Sequence, residues 1–134
     1  MKDLGNFIGI PHNFGMSNFF GADCAGLCIL FYKEIFGYTI DDGKPIGTAE
    51  EYAKNHSRML RYLLKTMDKV TSVDDLEFGD IVVTKVFNEH HVALYTEYGR
   101  VLTMEIPCVE GKTRSCIYKE IQWKPYFVIG FRRR

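Results

Sequence analysis

Three features are missing from this sequence, and each absence argues against a class of protein. Lysine plus arginine number 17 and aspartate plus glutamate also number 17, so the basic excess typical of a general nucleic-acid binder is absent. No apolar run follows residues 1–4, so we expect no signal peptide and residence in the cytoplasm of the producing cell. No stretch approaches the length of a membrane span.

Cysteine is scarce, with four residues in 134. Without a secretion signal, four cysteines are predicted to be thiols rather than a disulfide framework. Cys24 and Cys28 lie one helical turn apart, but Cys108 and Cys116 are far from each other in sequence. A zinc site needs a complete ligand set, so we predict no metal and no cofactor, and we interpret Cys28 as a small buried residue.

The composition fits one domain spanning residues 1–134, because 46% of the residues are hydrophobic and 14% are aromatic. Helical spacing predicts a helix over about 24–36 and a second over about 48–68, which opens with a Thr-Ala-Glu-Glu capping box. Strands are predicted at about 80–87, 91–96, 101–106 and 127–131, with a loop or hairpin at 108–116. Helices followed by a mostly antiparallel sheet give an α+β fold.

The most informative stretch is residues 21–27, Gly-Ala-Asp-Cys-Ala-Gly-Leu. Asp23 is predicted near the N-cap of the first helix and Cys24 in its first turn. Main-chain N–H groups and the positive end of the helix dipole stabilise a thiolate at that position. Cys24 is therefore a candidate nucleophile, provided that a histidine can reach it.

The candidate partner is His91, which opens a predicted strand with the sequence His-Val-Ala-Leu-Tyr. A helix-borne cysteine followed by a strand-borne histidine is the arrangement of papain-like enzymes. The neighbouring His90 should point to the opposite face of the strand. We predict that a ring nitrogen of His91 lies within hydrogen-bond reach of the Cys24 sulfur.

Four motifs in this order resemble the NlpC-type cell-wall cysteine peptidases. They are the lead-in at 8–15, Asp-Cys-Ala-Gly-Leu at 23–27, Gly-Asp at 79–80 and His-Val-Ala-Leu-Tyr at 91–95. Ala25 stands where the family usually has serine. The domain of lambdoid phage tail-assembly proteins looks similar. The resemblance implies a papain-like fold, and within it the helix at about 48–68 is interpreted as an insertion.

The resemblance also suggests further site residues. The family usually has a polar residue at its third catalytic position. Counting as in the family, this position falls on Thr103. We prefer Glu105, two residues on and on the same face of a strand, because a carboxylate orients an imidazole better than a hydroxyl does. A third possibility is that neither plays this role.

His12 stands where the family has a tyrosine after proline, so His12 and Asp23 are candidates for the substrate or oxyanion site. An exposed loop histidine is the alternative for His12.

The function that the resemblance implies is a cysteine peptidase that hydrolyses amide bonds in peptidoglycan peptides, near a D-glutamyl to diamino-acid bond. The expected partner is a peptidoglycan peptide, with no nucleic acid and no membrane span. A phage tail is one setting, with tail proteins as partners and the virion tail as location. The alternative is a catalytically silent assembly protein of a phage tail on the same fold, and an acyltransferase or amidase is a weaker third option.

Overall fold

The computed structural model of this chain describes residues 4–40 and 58–134. The described helices are α1 (Cys24–Phe31), α2 (Arg58–Thr66) and the short α3 (Glu120–Trp123). A short hairpin, β1 (Ser17–Asn18) with β2 (Gly21–Ala22), precedes α1. Residues 48–57 of the predicted second helix, which include its capping box, lie outside the described residues.

Among the described residues, six strands form one sheet in the order β3-β8-β4-β5-β6-β7, and every neighbouring pair is antiparallel. The strands are β3 (Asp68–Val70), β4 (Ile81–Val86), β5 (Glu89–Tyr95), β6 (Val101–Met104), β7 (Ser115–Tyr118) and β8 (Phe127–Arg132). Helices plus a mostly antiparallel sheet confirm the predicted α+β class.

The two faces of the sheet carry different hydrophobic clusters because side chains alternate along each strand. On one face, Val92 and Leu94 of β5 belong to the same cluster as Leu27 and Phe31 of α1. On the other face, Ala93 belongs to a smaller cluster around Trp123. The first helix is therefore fixed against the middle of the sheet, where it contacts β5 and β6.

The first helix ends where predicted, because α1 continues as a π-helical turn, Tyr32–Phe36, and stops at Gly37 with a left-handed φ of 62°. Two other predicted boundaries need correction. The strand predicted over 101–106 ends at Met104, so Glu105 lies just beyond it. The predicted loop at 108–116 is also too long, because β7 begins at Ser115. In the described part of the chain, no helix combines the length and apolar character that crossing a membrane requires.

Candidate active site

Cys24 is the first residue of α1 and is buried, with 4% of its surface exposed. Asp23 is the N-cap with an extended backbone, and its Oδ1 accepts a hydrogen bond from the Gly26 N–H at 2.6 Å. The second oxygen, Oδ2, accepts from the Gly15 N–H at 2.8 Å. The predicted cap is confirmed, and it fixes the sulfur at the positive end of the helix.

The first turn of α1 has no room for a side chain at Gly26. A Cβ at this position would fall on the main-chain carbonyl oxygen of Met16, well inside van der Waals contact. The same carbonyl accepts a hydrogen bond from the Asp23 N–H at 3.3 Å. The segment before β1 therefore packs directly against the turn that carries Cys24.

His12 is buried, with 1% exposed, so the alternative of an exposed loop histidine does not hold. Its main chain bridges to Ala22, and its N–H donates to the Thr113 carbonyl at 2.9 Å. The ring meets Phe14 edge-on, with 4.6 Å between centroids. Burial lowers the pKa of His12, an effect that the negative charges of Asp23 and Glu110 oppose. Within residues 4–40 and 58–134, its buried Nδ1 has no hydrogen-bond partner.

His91 is buried near the start of β5, where it pairs across the strands with Thr84. Its Nε2 lies 3.9 Å from Oε2 of Glu89, a carboxylate that is 64% exposed. His90 is half-buried and pairs with the exposed Lys85. The structure therefore places a carboxylate that sequence reasoning missed beside the predicted histidine. The sequence signal for Glu89 was its spacing of two residues from His91, since residues two apart on a strand share a face.

Cys108 packs against the hydrophobic cluster that contains Cys24 of α1 and Val92 of β5. Burial raises the pKa of its thiol well above the usual range, and the negative charges of Cys24, Asp23 and Glu89 raise it further. α1 and β5 contact each other directly, so Cys108 lies against the elements that carry Cys24 and His91. None of the four cysteines forms a disulfide.

The two candidates for the third catalytic position have different surroundings. Thr103 is buried, and its hydroxyl lies 3.4 Å from the carbonyl oxygens of Val92 and Met104. Glu105 is exposed, and its carboxylate accepts a hydrogen bond from the Arg114 N–H at 2.9 Å. Thr103 thus contributes a neutral group bound to main chain, while Glu105 is held by the segment that leads into β7.

A comparison of the sequence with known families matches residues 9–131 to the NlpC/P60 family. The chain belongs to the NlpC/P60 family. The match spans the predicted site, including His12, Cys24, His91 and Glu105. No curated protein matches the chain significantly.

Solved NlpC/P60 structures share the fold of this chain. The NlpC/P60 domain of the peptidoglycan hydrolase SagA is 16% identical, with a TM-score of 0.60, covering 94% of this chain and 89% of the other. A lipoprotein-like protein from Staphylococcus aureus is 16% identical (TM-score 0.58), and a Bacillus cereus protein is 20% identical (TM-score 0.61). Both matches cover 95% of this chain, which spans only 37% and 36% of those longer chains. At these identities the likeness establishes the fold.

The described part of this NlpC/P60 domain contains no group of three or more histidine, cysteine or acidic side chains placed to hold a metal ion. The chemistry available at the site is that of a thiol at a helix start, two buried imidazoles and a set of carboxylates. This combination can support nucleophilic catalysis and proton transfer.

Proposed function

We propose that this NlpC/P60 domain is a cysteine hydrolase that cleaves amide bonds in peptides of the bacterial cell wall. The observation that carries the proposal is Cys24 at the first residue of α1, held by Asp23, on a fold that has a buried histidine at the start of β5. The family match and the likeness to a solved peptidoglycan hydrolase support the substrate class.

In the proposed reaction His91 takes the proton of the Cys24 thiol, and the thiolate attacks the carbonyl carbon of the amide. Main-chain N–H groups at the start of α1 stabilise the oxyanion. His91 then gives its proton to the leaving amine, so that a thioester remains on Cys24. Water, deprotonated by His91, hydrolyses the thioester and restores the thiol. The expected bond is that between a D-glutamyl residue and a diamino acid.

His12 and Asp23 take different parts in this scheme. A carboxylate accepts hydrogen bonds but cannot donate one to an oxyanion. Asp23 therefore supports the oxyanion site indirectly, by fixing the turn whose amides point at it. His12 is buried beside that turn, and in the described structure its Nδ1 has no partner. We assign this nitrogen to a polar group of the substrate peptide.

Digestion of purified peptidoglycan, with the released peptides identified by mass spectrometry, tests the proposal. The wild-type protein should release peptides with new amino termini, and Cys24→Ala should reduce release to background. Cys28→Ala is the matched control because Cys28 is buried one turn further along the same helix. Cleavage by Cys24→Ala at the wild-type rate would exclude Cys24 as the nucleophile.

The assembly protein of a phage tail is kept as the alternative hypothesis, and with it a location in the virion tail. The same digestion separates the two. A wild-type protein that cleaves no wall peptide, yet is needed for particles to form, favours assembly. Loss of cleavage in Cys24→Ala with particle formation intact favours the enzyme.

A further inference from the structure

We propose that Glu89 is the positioning residue that orients His91, an inference that rests on the proposed cysteine hydrolase activity. The histidine of a catalytic pair needs one ring nitrogen for the nucleophile and a polar partner for the other. The carboxylate of Glu89 lies 3.9 Å from Nε2 of His91. Thr103 is neutral, and Glu105 is held by the Arg114 main chain.

The backbone holds Glu89 and His91 in a fixed relation. Both lie on β5, two residues apart, so their side chains leave the same face of the strand. Both are paired with β4, Glu89 with Val86 and His91 with Thr84. A carboxylate at this position can reach the ring without any rearrangement of the chain.

The turn that precedes Glu89 strengthens this constraint. Phe87 and Asn88 connect β4 to β5 and have positive φ values of 52° and 62°. A two-residue loop with both φ values positive is the type I′ hairpin turn, which fixes the register of the strands that it joins. Such a φ is unusual for a bulky phenylalanine, so the surrounding hairpin must hold it in place.

The chemistry follows from the charge of the carboxylate. When Cys24 gives its proton to His91, the ring becomes an imidazolium, and Glu89 stabilises that cation through Nε2–H. Nδ1 is then the nitrogen that serves Cys24. Because Glu89 is largely exposed, salt should screen the effect.

The test compares Glu89→Gln with wild type. An exposed carboxylate facing a buried imidazole should contribute about threefold to tenfold in kcat, with little change in KM. Glu89→Gln should move the basic limb of the pH–rate profile to lower pH, because the imidazolium loses its stabilising charge. Wild-type activity should fall towards that of the variant as salt is raised. A purely structural role would produce neither the pH shift nor the salt dependence.

The matched control is Glu97→Gln, which removes the same charge just beyond the other end of β5. It should leave the pH profile and the salt dependence as in wild type. The proposal is overturned if Glu105→Gln or Thr103→Val moves the basic limb while Glu89→Gln does not.

A second readout keeps the two proposals separate. The rate of Cys24 alkylation, followed against pH by peptide mass mapping, reports on the thiol–imidazole pair without any wall substrate. A wild-type protein that cleaves no peptide, but whose alkylation profile shifts in Glu89→Gln, contradicts the hydrolase and supports the role of Glu89. An active protein with identical alkylation profiles in both forms contradicts the role of Glu89 alone.

Discussion

Replacing Asp23 with alanine should destabilise the domain more than loss of an ordinary helix cap does. The carboxylate is 4% exposed and accepts two main-chain hydrogen bonds, at 2.6 Å from Gly26 and 2.8 Å from Gly15. Loss of an N-cap bond costs about 1 kcal/mol, and loss of the second, charge-assisted bond adds about 1–3 kcal/mol. We therefore expect the free energy of unfolding to fall by about 2–4 kcal/mol for Asp23→Ala. Asp23→Asn retains one oxygen acceptor and should lose less.

Urea denaturation followed by circular dichroism measures this loss directly, and a thermal scan should show the melting temperature lowered by about 10 °C. Ser72→Ala is the matched control. Its hydroxyl caps the short 3-10 turn Val73–Asp75 at an exposed position, with 3.3 Å to the Asp74 N–H. That change should cost less than about 0.5 kcal/mol. If Asp23→Ala costs no more than Ser72→Ala, the carboxylate does not hold the turn as we argue.

Two further predictions concern the same region. In an open helix, Gly26→Ala would raise the free energy of unfolding by about 1 kcal/mol. Here the new Cβ meets the Met16 carbonyl, so we expect urea denaturation to show a net decrease of about 1–3 kcal/mol. An increase would refute the close packing. Burial lowers the pKa of His12 in the folded state below its ordinary value of 6.5. The unfolded chain therefore binds a proton more readily, so the free energy of unfolding falls as pH drops from 6.5 towards the lowered pKa. His12→Asn should therefore flatten the dependence of unfolding free energy on pH below about 7, and an unchanged slope would contradict this account.

The first helix and its cap could be predicted because their signals are local. Asp23 precedes the apolar residues of α1, and Gly37 follows the last turn that they form. Both signals act within one or two turns of the chain, so neighbouring residues suffice to locate the helix ends. The π-helical turn Tyr32–Phe36 carried no such signal, because its residues also suit an ordinary helix.

Features that depend on distant pairing could not be predicted in the same way. β3 is three residues long and pairs with β8, 60 or more residues away in sequence. The burial of His12 depends on pairing with Ala22 and on the segment at 111–113, about 100 residues further along. Neither short stretch has enough alternation to identify it as part of a sheet.

The third member of the site was the hardest to predict. Counting along the chain led to Thr103 and Glu105 as candidates. It could not show which of these side chains is already hydrogen-bonded to the main chain. Glu105 accepts from Arg114 across the turn to β7, a contact set by the course of the loop. The spacing of Glu89, two residues before His91, was a signal in the sequence. Only the distance between its carboxylate and Nε2 of His91 distinguished it from the other candidates.

The claim that Cys24 and His91 form a reactive pair is tested most directly by alkylation at neutral pH, with peptide mass mapping, in wild type and in His91→Ala. In wild type Cys24 should react before the other three cysteines, because burial raises the pKa of each of those thiols. In His91→Ala the rate at Cys24 should fall about tenfold or more. A different cysteine reacting first, or an unchanged rate without His91, would contradict the account.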